Sequence, residues 1–378
     1  MFQYFRLQQF VLLTVKVCEW LAKYKKNSFW LRRSEQASRA GMVIALLGSW
    51  LFTAEALPAI ENVKPLYTWQ KTPASLALLN HGQVVWQFNH LLDGREKGCP
   101  YFHPLRTLDG ATLTDLRPGD HLWHRGLRFA WKKINGLEGY WAWPEGVGRW
   151  PDKEMGRTEV TAVKVIAGKD YSARFELELS YHPAGKPAVL TEKRTILVST
   201  PDEKGRYQID WQGNFTAGAE DAFLDRTPIL GEQGGKPWGG YAGLQFRVIH
   251  RDHLAAWTLL NSEGGSATNK ADPKKGVEAL HGKQARWMDM TLDFKDGKTA
   301  GVTLFDHPDN LRYPAVWHVS SMPNELIQTT IFNGPYNLKE GKSLSFRYLI
   351  LIHPDRIDKT FLENQWKEFT KPVNPNPA

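Results

Sequence analysis

The chain predicts an all-β protein, a large antiparallel β-sandwich of the double-sheet supersandwich kind with a short C-terminal helix. Three observations lead there. Residues 171–181 alternate with period two, setting Ala173, Phe175, Leu177, Leu179 and Tyr181 on one face and Arg174, Glu176, Glu178 and Ser180 on the other. About a dozen comparable runs follow one another with turn signals between them. Only one segment, near the C-terminus, has helical spacing.

Residues 1–41 carry eight Lys and Arg against Glu19 and Glu35, a net of +6 out of the chain's +8. The basic balance thus belongs to the N-terminus, and the main body lacks the cationic surface that nucleic-acid binding needs. From Met42 an apolar run of about a dozen residues follows Arg39 and ends in Ala54-Glu55-Ala56. A charged flank, a short apolar stretch and a small-x-small site together read as a signal peptide cleaved after Ala56, with Met42 a plausible true start. The run is short for a membrane span, and an uncleaved anchor is the competing reading. The expected organisation is a leader over 1–56, one β domain over 57–370 and a Pro/Asn tail over 371–378. The protein is then exported, periplasmic or extracellular. Cys18 falls in the leader and leaves Cys99 alone, so neither an internal disulfide nor a cysteine zinc cage is expected in the mature chain.

Strand-like pieces begin at 75–79 and 84–88, and a short apolar run at 127–131 reads as another strand. Further strands are expected at 189–198, 207–215, 244–250, 255–260, 286–294, 302–305, 326–332 and 344–352, punctuated by turns such as Pro183-Ala-Gly185 and Lys295-Asp-Gly297. Asp358 can cap a helix in which Phe361, Leu362, Trp366 and Phe369 share one face.

The chemistry-bearing stretch is PYFHPLRTLDGATLTDLRPGDHLWHRGLRFAW, residues 100–131, which gathers His103, Asp120, His121, Trp123, His124, Arg125 and Arg128. An imidazole titrating near neutral pH can act as acid or base toward a sugar oxygen while Arg125 or Arg128 neutralises developing charge. His121 and His124 with Asp120 and His103 could instead converge on zinc, copper or iron, although two histidines three apart on a loop are not a specific metal signal. Acid–base work is the preferred reading, no cofactor is assigned, and a loop bonded to itself is the bland alternative. A second constellation, residues 303–318, offers His307, Arg312, Trp317 and His318 for a polar pocket with an aromatic floor. A third, the Gly-rich stretch 230–247, offers Glu232 as a carboxylate and Arg247 on the polar side of the next strand. Tyr140, Trp141 and Trp143 beside Pro144 can stack on sugar rings or simply pack. No Gly-x-Ser-x-Gly elbow, phosphate loop, dinucleotide fingerprint or His-Glu-x-x-His is present.

The runs Tyr101-Phe-His-Pro-Leu-Arg-Thr-Leu-Asp-Gly110, Arg117-Pro-Gly-Asp-His-Leu-Trp-His-Arg-Gly126, Phe305-Asp-His-Pro-Asp-Asn310 and Pro314-Ala-Val-Trp-His318 resemble a bacterial PmoA-like family over about residues 84–353. The family name refers to a methane oxygenase that is an integral membrane protein, whereas nothing after residue 56 approaches the ~18 apolar residues of a spanning helix. The resemblance implies a galactose-mutarotase-like supersandwich and a carbohydrate-related role, with a His acid and a carboxylate base at a sugar ring. On that analogy His121 or His124 is the acid and Glu232 the base, and the polar cluster itself offers Asp120 as the alternative base. Arg125, Arg128 and Arg247 bind charge, His103, His307 and His318 line the pocket, and Trp123, Trp143 and Trp317 stack. The expected ligand is a sugar, glycoside or polysaccharide fragment, turned over by epimerisation, elimination or hydrolysis. The alternatives are a non-catalytic carbohydrate-binding protein and, from the family name, a metal-dependent oxygenase.

Overall fold

The computed structural model describes residues 66–93, 97–119, 121–141, 154–269, 277–320 and 324–372. The stretch expected as a leader, most of the Pro/Asn tail, Asp120 and Trp143 lie outside them. The described residues all fall in one compact unit, Pro65–Ala378.

Two nine-stranded antiparallel sheets dominate. The front sheet runs β1 (Tyr67–Lys71), β2 (Ser75–Asn80), β3 (Gln83–Asn89), β4 (Tyr101–Leu105), β5 (Leu127–Ala130), β13 (Gly243–Arg247), β20 (Glu325–Thr329), β19 (Val316–Val319) and β16 (Lys283–Gln284). The back sheet runs β15 (Ser266–Thr268), β14 (Leu254–Asn261), β17 (Trp287–Phe294), β18 (Thr299–Asp306), β22 (Ser343–His353), β11 (Tyr207–Ala217), β10 (Leu190–Val198), β9 (Ala173–Pro183) and β8 (Gly156–Ala167). A small sheet joins β21 (Tyr336–Leu338), β12 (Ala222–Asp225), β6 (Lys133–Ile134) and β7 (Leu137–Glu138). The all-β, antiparallel expectation holds, and so does the helix: α1 (Lys359–Phe369) starts where the Asp358 carboxylate accepts from Phe361 N at 2.9 Å.

The sheets are held face to face by an aromatic layer. Phe88 and Phe102 of the front sheet meet Phe175 of the back sheet, with ring centroids 4.6 and 6.4 Å away, and Phe129 meets Phe215 at 5.1 Å. The period-two alternation aims these rings inward. A polar cluster shares this interior: Arg194 donates to both oxygens of Glu192 at 2.7 Å, both side chains fully buried, under the OH of Tyr181 and over the face of Trp211.

Candidate functional site

The same alternation sets the opposite character on the other face of the front sheet. Leu127, Phe129, Leu244, Phe246, Leu326 and Trp317 belong to the core. Their neighbours Arg128, Gln245, Arg247, Glu325, Ile327 and His318 line a cavity of about 970 Å³ on the outer side. The register explains the grouping. Arg128 lies opposite Gln245, Gln245 opposite Ile327, and Ile327 opposite His318, while Arg247 lies opposite Glu325. Four neighbouring strands, β5, β13, β20 and β19, thus place their outward side chains on one surface.

The floor is bonded together. Arg128 Nε donates to Gln245 Oε1 at 2.5 Å and its Nη1 to the Trp141 carbonyl at 3.0 Å. Gln245 Nε2 in turn donates to Glu325 Oε1. Arg128 is 1% exposed and Arg247 2%, so charged groups sit at the bottom of the cavity rather than on its rim. Burial and the nearby Arg125 push the Arg128 guanidinium down to about 10.

The wall above β5 is the 115–125 loop. It closes on itself through Arg117 N to His124 O at 2.8 Å, His121 N to Pro118 O at 2.8 Å and His124 N to His121 O at 2.9 Å. Gly126 joins the loop to β5 at φ +38°, where a Cβ would stand 1.9 Å from the Phe102 carbonyl oxygen, so only glycine fits. These turns stack the rings of His121 and His124, 4.6 Å apart, with Trp123 edge-on to both. Two groups compete for His124 Nδ1: Arg247 Nη1 at 3.2 Å and Glu325 Oε1 at 3.6 Å. The guanidinium has the hydrogen-bonding distance and can only donate, so Nδ1 accepts and the ring proton sits on Nε2. Burial, Arg128 and Arg247 hold His124 well below the usual imidazole range, in keeping with a neutral ring.

Across the cavity His281 Nδ1 accepts from Val319 N at 3.2 Å, and His318 shares a 3.3 Å hydrogen bond with the Gly239 carbonyl, which fixes its proton on Nδ1. The two rings meet edge to face at 5.0 Å. Burial and His281 push His318 down to about 3. The remaining wall is aromatic: Lys132 Nζ stands 4.2 Å from the Trp141 ring and 5.3 Å from that of Tyr241, and pairs with Glu138 at 3.2 Å. Trp238 stacks beside Tyr241 at 6.2 Å.

Of the residues expected from sequence, His121, Trp123, His124, Arg128, Arg247 and His318 come together here. The others are held elsewhere. Glu232 accepts from Arg226 Nη2 and from Ile229 N in its own loop, and does not line the cavity; the Arg226 contact holds its carboxyl below the usual range. His103 is tied to Thr114 Oγ1 at 2.9 Å on β4. Arg125 is fully buried against the Tyr101 ring and outside the cavity lining. Trp317 points the opposite way from His318, into the core, and donates to Ala285 O at 2.9 Å. His307 packs on Phe369 of α1, at the back sheet. Its neighbour Asp306 is an internal brace, accepting from Asn310 Nδ2 and Ala315 N at 2.7 Å, with burial pushing it up to about 7. Tyr140 and Trp141 are likewise buried, and Trp141 reaches the cavity.

Gln245, Glu325, Lys132, Glu138, His281, Trp238 and Tyr241 went unrecognised in the sequence. The available signal was the alternation within residues 243–247 and 325–329, which puts Gln245 and Glu325 on the side of Arg247 and away from Leu244 and Leu326. Among the described residues no group of three or more His, Cys, Asp or Glu side chains is arranged to hold a metal ion, and no helix is long and apolar enough to cross a membrane.

Fold and site together define a two-sheet antiparallel β protein with a polar, aromatic-walled cavity on the outside of one sheet. The chain belongs to DUF6807, a family of unknown function whose profile matches residues 75–367. Among curated proteins nothing matches. Slr1438 from Synechocystis sp. PCC 6803 is a structural neighbour at 10% identity and TM-score 0.32, covering 77% of this chain and 97% of that one. A TPR-domain containing protein from Parabacteroides distasonis ATCC 8503 aligns at 8% identity and TM-score 0.23, covering 82% of this chain and 49% of that one.

Proposed function

We propose that this chain is an exported carbohydrate-active protein that holds a sugar or glycoside against the outer face of the front sheet and acts on it by His/carboxylate chemistry. The observation that supports the reading is the join between the bonded floor Arg128, Gln245 and Glu325 and the aromatic wall Trp123, Trp141, Trp238 and Tyr241. Sugars present hydroxyls at their edges and C–H groups on their faces, so a ligand of this kind needs fixed polar partners beneath apolar ring surfaces. Glu325 takes the carboxylate role, as base toward a ring or hydroxyl proton. His124 offers its Nε2–H as a hydrogen-bond donor, His121 stacked on it is the proton donor, and Arg128 and Arg247 stabilise negative charge. Export rests on the 42–56 run of the sequence.

The non-catalytic reading has one observation in its favour: His124 and His318 are both held neutral, which suits hydrogen bonding to a ligand better than proton donation. One experiment separates the two. The parent protein and the double variant His121→Ala/His124→Ala are assayed for binding and for turnover against a panel of mono- and oligosaccharides. An enzyme loses turnover while retaining binding, a binding protein shows no turnover in either form, and absence of sugar binding by the parent protein refutes both.

A further inference from the structure

Resting on that reading, we infer that the ligand is an oligosaccharide rather than a single sugar, and that Trp238 forms a distal stacking subsite for a ring beyond the one over Glu325. Three dimensions of the cavity carry this. Its volume of about 970 Å³ lies at the top of the ~300–1,000 Å³ usual for sites that enclose drug-sized ligands, several times what one pyranose fills. Its floor runs from Arg128 on β5 across β13 and β20 to His318 on β19, three strand spacings or about 14 Å. One end of that length also leads into a file of rings. Arg128, Arg247 and Glu325 occupy the successive floor strands β5, β13 and β20, and from His318 on β19 the path outward is a file of rings: His318 to Tyr241 at 5.6 Å, then Tyr241 to Trp238 at 6.2 Å.

Trp238 is the outermost of these and differs from the rest in exposure. Trp141 is buried and its face is covered by the Lys132 ammonium, and Tyr241 is shared by that ammonium and by His318. Trp238 is 53% exposed while still lining the cavity, together with Pro237 and the exposed Leu230. An indole half in water and half in the cavity mouth costs hydration free energy that a stacked sugar face recovers. Trp238 is joined to the floor residue His318 through the ring of Tyr241.

The test is calorimetric titration of the full-length protein with matched mono-, di- and trisaccharide series built on glucose, galactose, mannose and xylose. At least one series is expected to gain about ten-fold or more in affinity from one unit to three. Trp238→Ala and Trp238→Leu should each cut that trisaccharide-to-monosaccharide ratio about five-fold, whereas Trp238→Phe, which keeps an aromatic face, should retain most of it. The leucine variant preserves apolar bulk and so guards against loss of folding as the explanation. A monosaccharide that binds as tightly as its trisaccharide, or a ratio unchanged in the leucine variant, overturns the subsite but leaves the carbohydrate reading standing. Failure of every sugar to bind the parent protein overturns both.

Discussion

Arg247 Nη1 points at His124 Nδ1 from 3.2 Å, with Glu325 Oε1 3.6 Å from the same nitrogen. A buried imidazole thus stands between a cation and an anion and is committed to the cation, which makes it a neutral Nε2–H donor. Replacing Arg247 with Met removes one of the charges that holds the ring neutral. The expected outcome is a His124 that titrates at higher pH than in the parent protein, read by ring ¹⁵N chemical shifts. An unmoved titration would refute Arg247 as one of the charges that, beside burial and Arg128, hold the ring neutral.

Glu325 and Glu232 exchange the importance they have in the sequence. Glu325→Gln is expected to lower sugar turnover by about 100-fold or more, as loss of a general base does. Glu232→Gln is expected to leave turnover within about two-fold. Its effect falls on the 229–235 loop through the Arg226 contact. Steady-state kinetics on the two variants decide between them, and an inactive Glu232→Gln with active Glu325→Gln would reverse the assignment.

Stability should fall on the acid side. Burial lowers His90 and His103 to about 4 and His318 to about 3, and also depresses His124, His281 and His307. Below about pH 6.5 the unfolded chain takes up protons that these rings refuse, so their contribution is complete above 6.5 and is lost as pH falls through the folded values. Asp306, raised to about 7, works the other way: its contribution is present below its unfolded value of 3.8 and lost as pH rises through 7. The histidines outnumber it. Urea midpoints should therefore drop steadily from pH 6.5 toward 4, and His318→Gln should reduce that slope by up to ~1.4 kcal/mol per pH unit.

The Arg194 and Glu192 pair is structural and lies inside the sandwich, away from the cavity. Arg194→Met leaves a buried carboxylate without its bidentate partner and should cost about 3–5 kcal/mol. Sugar affinity measured below the melting transition should stay at the parent value. Denaturant unfolding together with titration calorimetry tests both halves.

Gly126→Ala places a methyl group against the Phe102 carbonyl at a positive-φ position. It should destabilise the protein by about 2 kcal/mol or more and weaken sugar binding together with folding, because Gly126 ties the His124 loop to β5. Thermal melts with and without sugar report both effects.

Strands whose alternation is unbroken were legible. Residues 173–183 and 207–217 announce themselves, and the cap at Asp358 does the same for α1. β8 was missed because a bulge between Val160 and Ala162 shifts the phase of its apolar residues, and β4 because Pro104 reads as a strand breaker. The site was half legible for a related reason. His121, His124 and Arg128 sit in a conspicuous polar cluster, but Glu325 opens an apolar run and looks like a strand's first residue. Glu232 stands out as the carboxylate of a Gly-rich loop, yet Arg226, six residues away, already holds it. Adjacent residues can also part company on a strand, as Trp317 and His318 do, and sequence proximity alone suggests a shared pocket where the pleat forbids one.

The four strands beneath the cavity come from chain positions near 127, 243, 316 and 325, so the segment carrying the two stacked imidazoles meets its carboxylate only after nearly two hundred residues of intervening chain have been synthesised. The outer surface of these four strands is therefore built from contacts of high sequence separation, the kind that slows folding. A bound sugar would act as a read-out of completed folding, raising the melting temperature of correctly registered molecules by mass action and leaving partly zipped ones untouched.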